Sequence, residues 1–101
     1  MKDVEFVGIA DVNVERGLDT ASKYRVHFFE DYQEMLPHVD AVCVAVPTRL
    51  HHDVGMNCLQ NNVHTLIEKP IAASIAEAES LVNAAADANC ILQVGHIERF
   101  N

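Results

Sequence analysis

Apolar residues in this chain fall into short runs separated by amphipathic stretches, and the alternation continues from end to end. Val4–Ala10 (VEFVGIA) is rich in β-branched residues and stops at Asp11, the pattern of a strand buried in a parallel sheet. Asn13 then caps a helix. Val14–Tyr24 has helical composition with Leu18 and Ala21 on one face, although Gly17 weakens it by about 1 kcal/mol relative to alanine. A short strand near Val26–Phe29 follows, and then one helical turn at Tyr32–Leu36 that Pro37 closes.

Asp40–Val46 (DAVCVAV) is a continuous Val/Ala/Cys run bounded by Pro47, which implies burial on both faces of a sheet. The next helix runs roughly from Leu50 to Asn61 with Val54, Cys58 and Leu59 on one side, and Asn61-Asn62 forms its stop. Val63–Glu68 (VHTLIE) is a further strand, halted by Lys69-Pro70. Ser74-Ile75-Ala76-Glu77 is a capping box opening an Ala-rich helix to about Asn89, with Ile75, Ala78, Leu81, Val82 and Ala85 as its buried stripe. Cys90–Val94 is the last strand, broken by Gly95. Strand and helix alternate without repeats, which predicts a parallel α/β fold.

Composition narrows the function classes. The chain has 101 residues, half of them hydrophobic, enough for one modest domain or a piece of one. Seven Lys plus Arg against fifteen Asp plus Glu give a net charge of -8, and no basic run is present to neutralise phosphates, so no nucleic-acid or membrane partner is expected. The apolar stretch Ala41–Pro47 is far below the roughly 20 residues that span a bilayer, and Met1-Lys2-Asp3 opens no signal peptide. Cys43, Cys58 and Cys90 are widely separated and read as reduced thiols of a cytoplasmic protein. The four glycines, Gly8, Gly17, Gly55 and Gly95, contain no Gly-x-Gly, so a dinucleotide loop is not among these residues.

Candidate chemistry follows from strand ends, since ligands of open parallel sheets bind beyond the carboxyl ends of the strands. Asp11 ends the first run, where a carboxylate takes the ribose hydroxyls of an adenosine and repels a 2′-phosphate, favouring NAD over NADP. It also reads simply as a polar residue starting the next helix. In the dinucleotide fingerprint the glycine loop lies about 20 residues ahead of this acid, which places it before Met1. Lys69, fixed by Pro70, stands where it could hydrogen-bond a substrate hydroxyl and stabilise the alkoxide character that develops as hydride leaves. A bare Glu-Lys-Pro triplet is far more often the mark of a solvated loop. His51, His52 and Asp53 point in different directions on a helix and have no third ligand, so no metal is expected. His27, His38 and His64 read as surface or internally satisfied histidines.

Three stretches in this order, Val7-Gly8-Ile9-Ala10-Asp11, Val46-Pro47-Thr48-Arg49-Leu50-His51 and Ile67-Glu68-Lys69-Pro70-Ile71-Ala72, resemble the nucleotide-binding domain of the Gfo/Idh/MocA oxidoreductases. The resemblance implies an NAD cofactor, with Asp11 on the adenosine ribose and Pro47, Thr48 and His51 beside the diphosphate and nicotinamide ribose. Glu68 and Lys69 would sit at the nicotinamide, Lys69 being the catalytic residue. It implies an α/β Rossmann-like parallel sheet that is incomplete, its first βα unit being absent. Residues 1–95 would be a partial dinucleotide-binding domain and 96–101 the start of a crossing to an absent substrate domain. The tail Gly95–Asn101 is most similar to members that oxidise a ring hydroxyl of a sugar or nucleotide sugar such as UDP-N-acetylglucosamine.

On this reading the chain alone turns over no substrate and binds NAD weakly or not at all, lacking the helix N-terminus that cradles the diphosphate. In strand order 3-2-1-4-5-6, removal of strand 1 leaves Val4–Ala10 and Asp40–Val46 without a shared neighbour, and the open edges predict a homo-oligomer. The competing reading is a non-catalytic truncated α/β module that assembles through those edges. A flavodoxin-like regulatory domain shares the alternation, but Asp3, Asp11 and Asp40 do not form its acidic pocket convincingly.

Overall fold

The computed structural model describes residues 6–11 and 13–95. The chain divides into two compact units, Met1–Val39 and Asp40–Asn101. Strands group into a two-stranded sheet in the first unit and a three-stranded sheet in the second, all parallel. Pairs 2-3 and 4-5-6 are the grouping that the 3-2-1-4-5-6 order gives when strand 1 is not among the residues.

In the first unit β1 (Gly8–Ala10) pairs with β2 (His27–Phe29), and α1 (Val14–Tyr24) connects them. The Asn13 side chain caps α1 by accepting from the Arg16 N–H, and Arg25 ends the helix in the left-handed conformation, its N–H donating to Ala21 and Ser22. Gly17 is there for contact rather than by default. It is buried, and a Cβ at this position would overlap the Phe28 ring, so β2 packs directly on the α1 backbone. Ala21 is buried as expected, whereas Leu18 is 51% exposed. A single turn α2 (Tyr32–Met35) runs on into a 3₁₀ turn at Leu36–His38. Pro37 sits at the start of that turn instead of closing the helix, because its missing N–H is an orphan there in any case.

In the second unit β3 (Ala41–Val44), β4 (His64–Glu68) and β5 (Leu92–Gly95) form the sheet in that order. Gly95 belongs to β5, paired opposite Glu68, and does not break it. Helices α3 (His51–Gln60) and α4 (Ile75–Ala88) cross between consecutive strands. Ser74 caps α4 through the Glu77 N–H while the Glu77 carboxylate accepts from the Ala73 N–H, the exchange a capping box provides, here reaching one residue before the cap. The core is Val44, Leu59, Ile67, Leu81 and Ala85. The expected α4 stripe is therefore narrower than predicted: Leu81 and Ala85 are buried, but Ile75 is 80% and Val82 56% exposed. One sheet face and one helix neighbour are too little to cover both flanks of an Ala-rich helix.

The strand ends are tied by specific bonds. The Ile91 N–H donates to His64 Nδ1 at 2.9 Å, linking the start of β4 to the approach of β5. At the other end of β4 the Lys69 N–H donates to the Gly95 carbonyl at 3.1 Å. The second bond holds the carboxyl end of β4, and with it Glu68 and Lys69, against β5.

Candidate functional site

Each unit carries part of the predicted set, always at the carboxyl end of a strand. In the first unit Asp11 follows β1 directly. Its carboxylate accepts from the Asn13 N–H at 2.9 Å and from Arg16 Nε and Nη2 at 2.7 and 2.9 Å. Asp11 thus organises the start of α1, the plainer of its two sequence readings, while still standing where an adenosine ribose binds in dinucleotide folds. The Arg16 guanidinium bonded to it holds the carboxyl below its usual value, against the opposing effect of burial. Arg16 itself was not singled out from sequence. Its signal was an acid at a strand end with an arginine on the first turn of the following helix.

The second unit gathers Pro47, Thr48, His51, Glu68 and Lys69 beyond two adjacent strands. β3 ends at Val44, and after Pro47 the chain enters a 3₁₀ turn at Thr48–Leu50 that leads straight into α3, with the Leu50 N–H donating to the Pro47 carbonyl at 2.8 Å. Thr48 is half-buried at the head of that turn. Glu68 closes β4, and Lys69 and Pro70 follow it, exposed, joined by a cis peptide bond. Since β3 and β4 pair in parallel with Val44 opposite Ile67, the Pro47 and Lys69 loops leave the sheet side by side.

His51 differs from the other four. It is only 2% exposed. Its Nδ1 lies 2.8 Å from the Pro70 carbonyl oxygen and its Nε2 2.8 Å from the Val46 carbonyl oxygen, so both ring nitrogens are engaged inside the protein. The neighbouring His52 lies 3.5 Å from Asp53. Among the described residues no group of three His, Cys, Asp or Glu side chains is placed to hold a metal ion, and no helix is long and apolar enough to cross a membrane.

These placements can be tested against a nicotinamide dinucleotide. Asp11 offers a carboxylate for a ribose, and Thr48, Glu68 and Lys69 offer a hydroxyl, a carboxylate and an ammonium at the strand ends where such ligands bind. They suit the adenosine and nicotinamide ends. The glycine-rich loop that cradles a diphosphate has no counterpart in the 101 residues, which contain no Gly-x-Gly.

Known proteins share this fold. A UDP-N-acetylglucosamine 3-dehydrogenase of Acidithiobacillus ferrooxidans is 36% identical over 95 residues, covering 94% of this chain and 30% of that protein. Its solved structure superposes with a TM-score of 0.87 at 34% identity, over 89% of this chain and 30% of that one. A 4-carboxy-2-hydroxymuconate-6-semialdehyde dehydrogenase of a Sphingobium species is 34% identical over 101 residues, 97% of this chain and 32% of its own length. The WlbA dehydrogenase of Bordetella pertussis, solved with NADH and UDP-GlcNAcA, superposes with a TM-score of 0.85 at 28% identity, over 90% of this chain and 27% of that one. The chain thus spans about 30% of the length of the curated relatives it matches. Residues 1–96 match the family described as "Oxidoreductase family, NAD-binding Rossmann fold". With parallel strands, strand-end polar residues and this match in agreement, the chain belongs to the Gfo/Idh/MocA oxidoreductase family.

Proposed function

We propose that this chain supplies the adenosine-ribose and nicotinamide ends of an NAD site in an oxidoreductase that takes hydride from the carbon bearing a ring hydroxyl of a sugar or nucleotide sugar. The observation that carries the reading is the placement of Thr48, Glu68 and Lys69 at the carboxyl ends of the paired strands β3 and β4. NAD bound there supplies the nicotinamide ring that accepts hydride. Asp11 holds the adenosine ribose; Pro47 and Thr48 shape the wall beside the nicotinamide ribose. Glu68 stands at the nicotinamide, and Lys69 donates a hydrogen bond to the reacting oxygen, stabilising the alkoxide character that develops as the hydroxyl proton passes to a general base and before hydride leaves the carbon. The sugar substrate rests on the named relatives and on the resemblance of the tail, whose residues 96–101 lie outside those described. A cytoplasmic location belongs to the same reading. Without a diphosphate loop among its residues, the isolated chain binds NAD weakly and turns over no substrate.

The test is a chimera in which this chain replaces the matching stretch of the Acidithiobacillus dehydrogenase, assayed with that enzyme's substrate. Lys69→Ala should lower kcat by about 10²–10³-fold, the range for loss of one transition-state hydrogen-bond donor, with NAD affinity nearly unchanged. Undiminished turnover would remove Lys69 from the chemistry.

A second reading, a non-catalytic module assembling as a homo-oligomer, is favoured by one observation: β3 stands at the edge of its sheet with Ala41 and Cys43 exposed. Size-exclusion chromatography over a concentration series tests the edge pairing, which gives a concentration-dependent dimer, and NADH-induced amide shifts at Thr48 and Lys69 would count against the non-catalytic reading.

A further inference from the structure

We infer that His51 is a positioning residue that clamps the Pro47 and Lys69 loops to one rigid helix through hydrogens on both ring nitrogens. The inference rests on the cofactor reading for what the loops do, though not for the clamp itself. Both contacts of the ring, to the Pro70 and Val46 carbonyl oxygens, are 2.8 Å long, within ordinary hydrogen-bond range. A carbonyl oxygen only accepts, so each contact is a bond only if the facing nitrogen carries hydrogen. A ring with one N–H would bond one loop and set a bare nitrogen lone pair against the oxygen of the other, in a site with no room for water to intervene at 2% exposure. The geometry therefore fits the doubly protonated ring.

The positions of the two carbonyls give the clamp its purpose. Val46 immediately precedes Pro47 and Thr48, and Pro70 immediately follows Lys69. His51 is the first residue of α3, whose far end is anchored by Cys58 and Leu59, 1% and 0% exposed. The ring thus transmits the rigidity of α3 to the two loops that carry Thr48 and Lys69. His64 provides an internal contrast: its Nδ1 accepts the Ile91 N–H at 2.9 Å and so carries no hydrogen.

Long-range ¹H–¹⁵N spectra of the imidazoles of the 101-residue chain test this without cofactor. Hydrogen is expected on both ring nitrogens of His51 and on Nε2 alone of His64; a single N–H on His51 would overturn the clamp. His51→Phe keeps an aromatic ring at the position and removes both donors. It should shift the Thr48, Arg49, Lys69 and Ile71 amides while Leu59 and Leu81 stay in place, and His51→Gln should restore part of the pattern. Unmoved Thr48 and Lys69 amides in a folded His51→Phe chain would also overturn it. Should that variant not fold, the ring spectrum of the unmodified chain decides. NADH added to the unmodified chain then separates the two ideas: NADH-induced shifts confined to residues away from Thr48 and Lys69 defeat the cofactor reading, while the ring and loop results stand on their own.

Discussion

Replacing Gly55 by alanine reverses a rule that holds on exposed helices, and the structure says by how much. Gly55 lies in the middle of α3, where alanine would ordinarily gain about 1 kcal/mol over glycine. Here the added Cβ would stand 2.8 Å from Leu81 Cδ2 on α4 and 3.1 Å from Ile67 Cδ1 on β4. Carbon atoms settle at about 3.5–4.0 Å, so both neighbours must give way. Leu81 and Ile67 are each 0% exposed, and neither can swing into solvent. Overpacking a filled core costs about 1–3 kcal/mol, which outweighs the helix gain and leaves Gly55→Ala destabilised by about 1 kcal/mol. Leu81→Ala alone should cost about 2–5 kcal/mol. In the double variant the Leu81 clash is gone and only the milder Ile67 contact remains, so the two losses should fall short of additive by about 1–2 kcal/mol. Urea denaturation followed by circular dichroism reads all four species. A Gly55→Ala chain more stable than the parent, or a strictly additive double variant, would refute the close packing of α3 on α4.

Two further outcomes follow from named groups. Burial pushes the Cys58 thiol up to about 11, whereas Cys43 is exposed, so a disulfide reagent at pH 8 should modify Cys43 quickly and Cys58 only after unfolding; equal rates in the native state would contradict the packing of α3. Asp11 has a folded value below the ordinary 3.8, so its contribution to stability is present above that pH and is lost as pH falls through the lower folded value. Arg16→Ala should move the Asp11 carboxyl midpoint, followed by carbon NMR, upward toward 3.8; an unmoved midpoint would mean that the Arg16 bond is not formed in solution.

Much of this fold was legible because its signals are local. Asn13 and Ser74 cap the helices they were expected to cap, and Val14–Tyr24 was located to the residue, since a cap side chain and a following periodic stretch are both written in sequence. The end of β4 was legible for a related reason, since its apolar run stops just before Lys69; the run expected to stay strand and buried on both faces to Val46 instead leaves the sheet at Val44, with Ala41 and Cys43 exposed on its uncovered edge. What sequence did not show depends on residues distant along the chain. Gly17 reads as a weak helix position until Phe28 is seen against it, and Gly55 until Leu81 is. Ile75 and Val82 have the spacing of a buried stripe, yet nothing on their flank covers them. The Val46 and Pro70 carbonyls at the two nitrogens of the His51 ring were not legible either, because its place in the motif says nothing of them. Arg16 was passed over because its partner lies across the turn joining β1 to α1.

The central claim is that a nicotinamide dinucleotide meets this chain at the carboxyl ends of its strands. Titrating NADH into the ¹⁵N-labelled chain measures that directly, residue by residue. The account predicts weak binding, with dissociation on the order of 1 mM or about -4 kcal/mol, and amide shifts concentrated at Asp11, Thr48, Glu68 and Lys69. Shifts confined to the outer groove of α3 and α4, at Met56, Gln60, Ser80 and Asn83, with none at the strand ends, would contradict it.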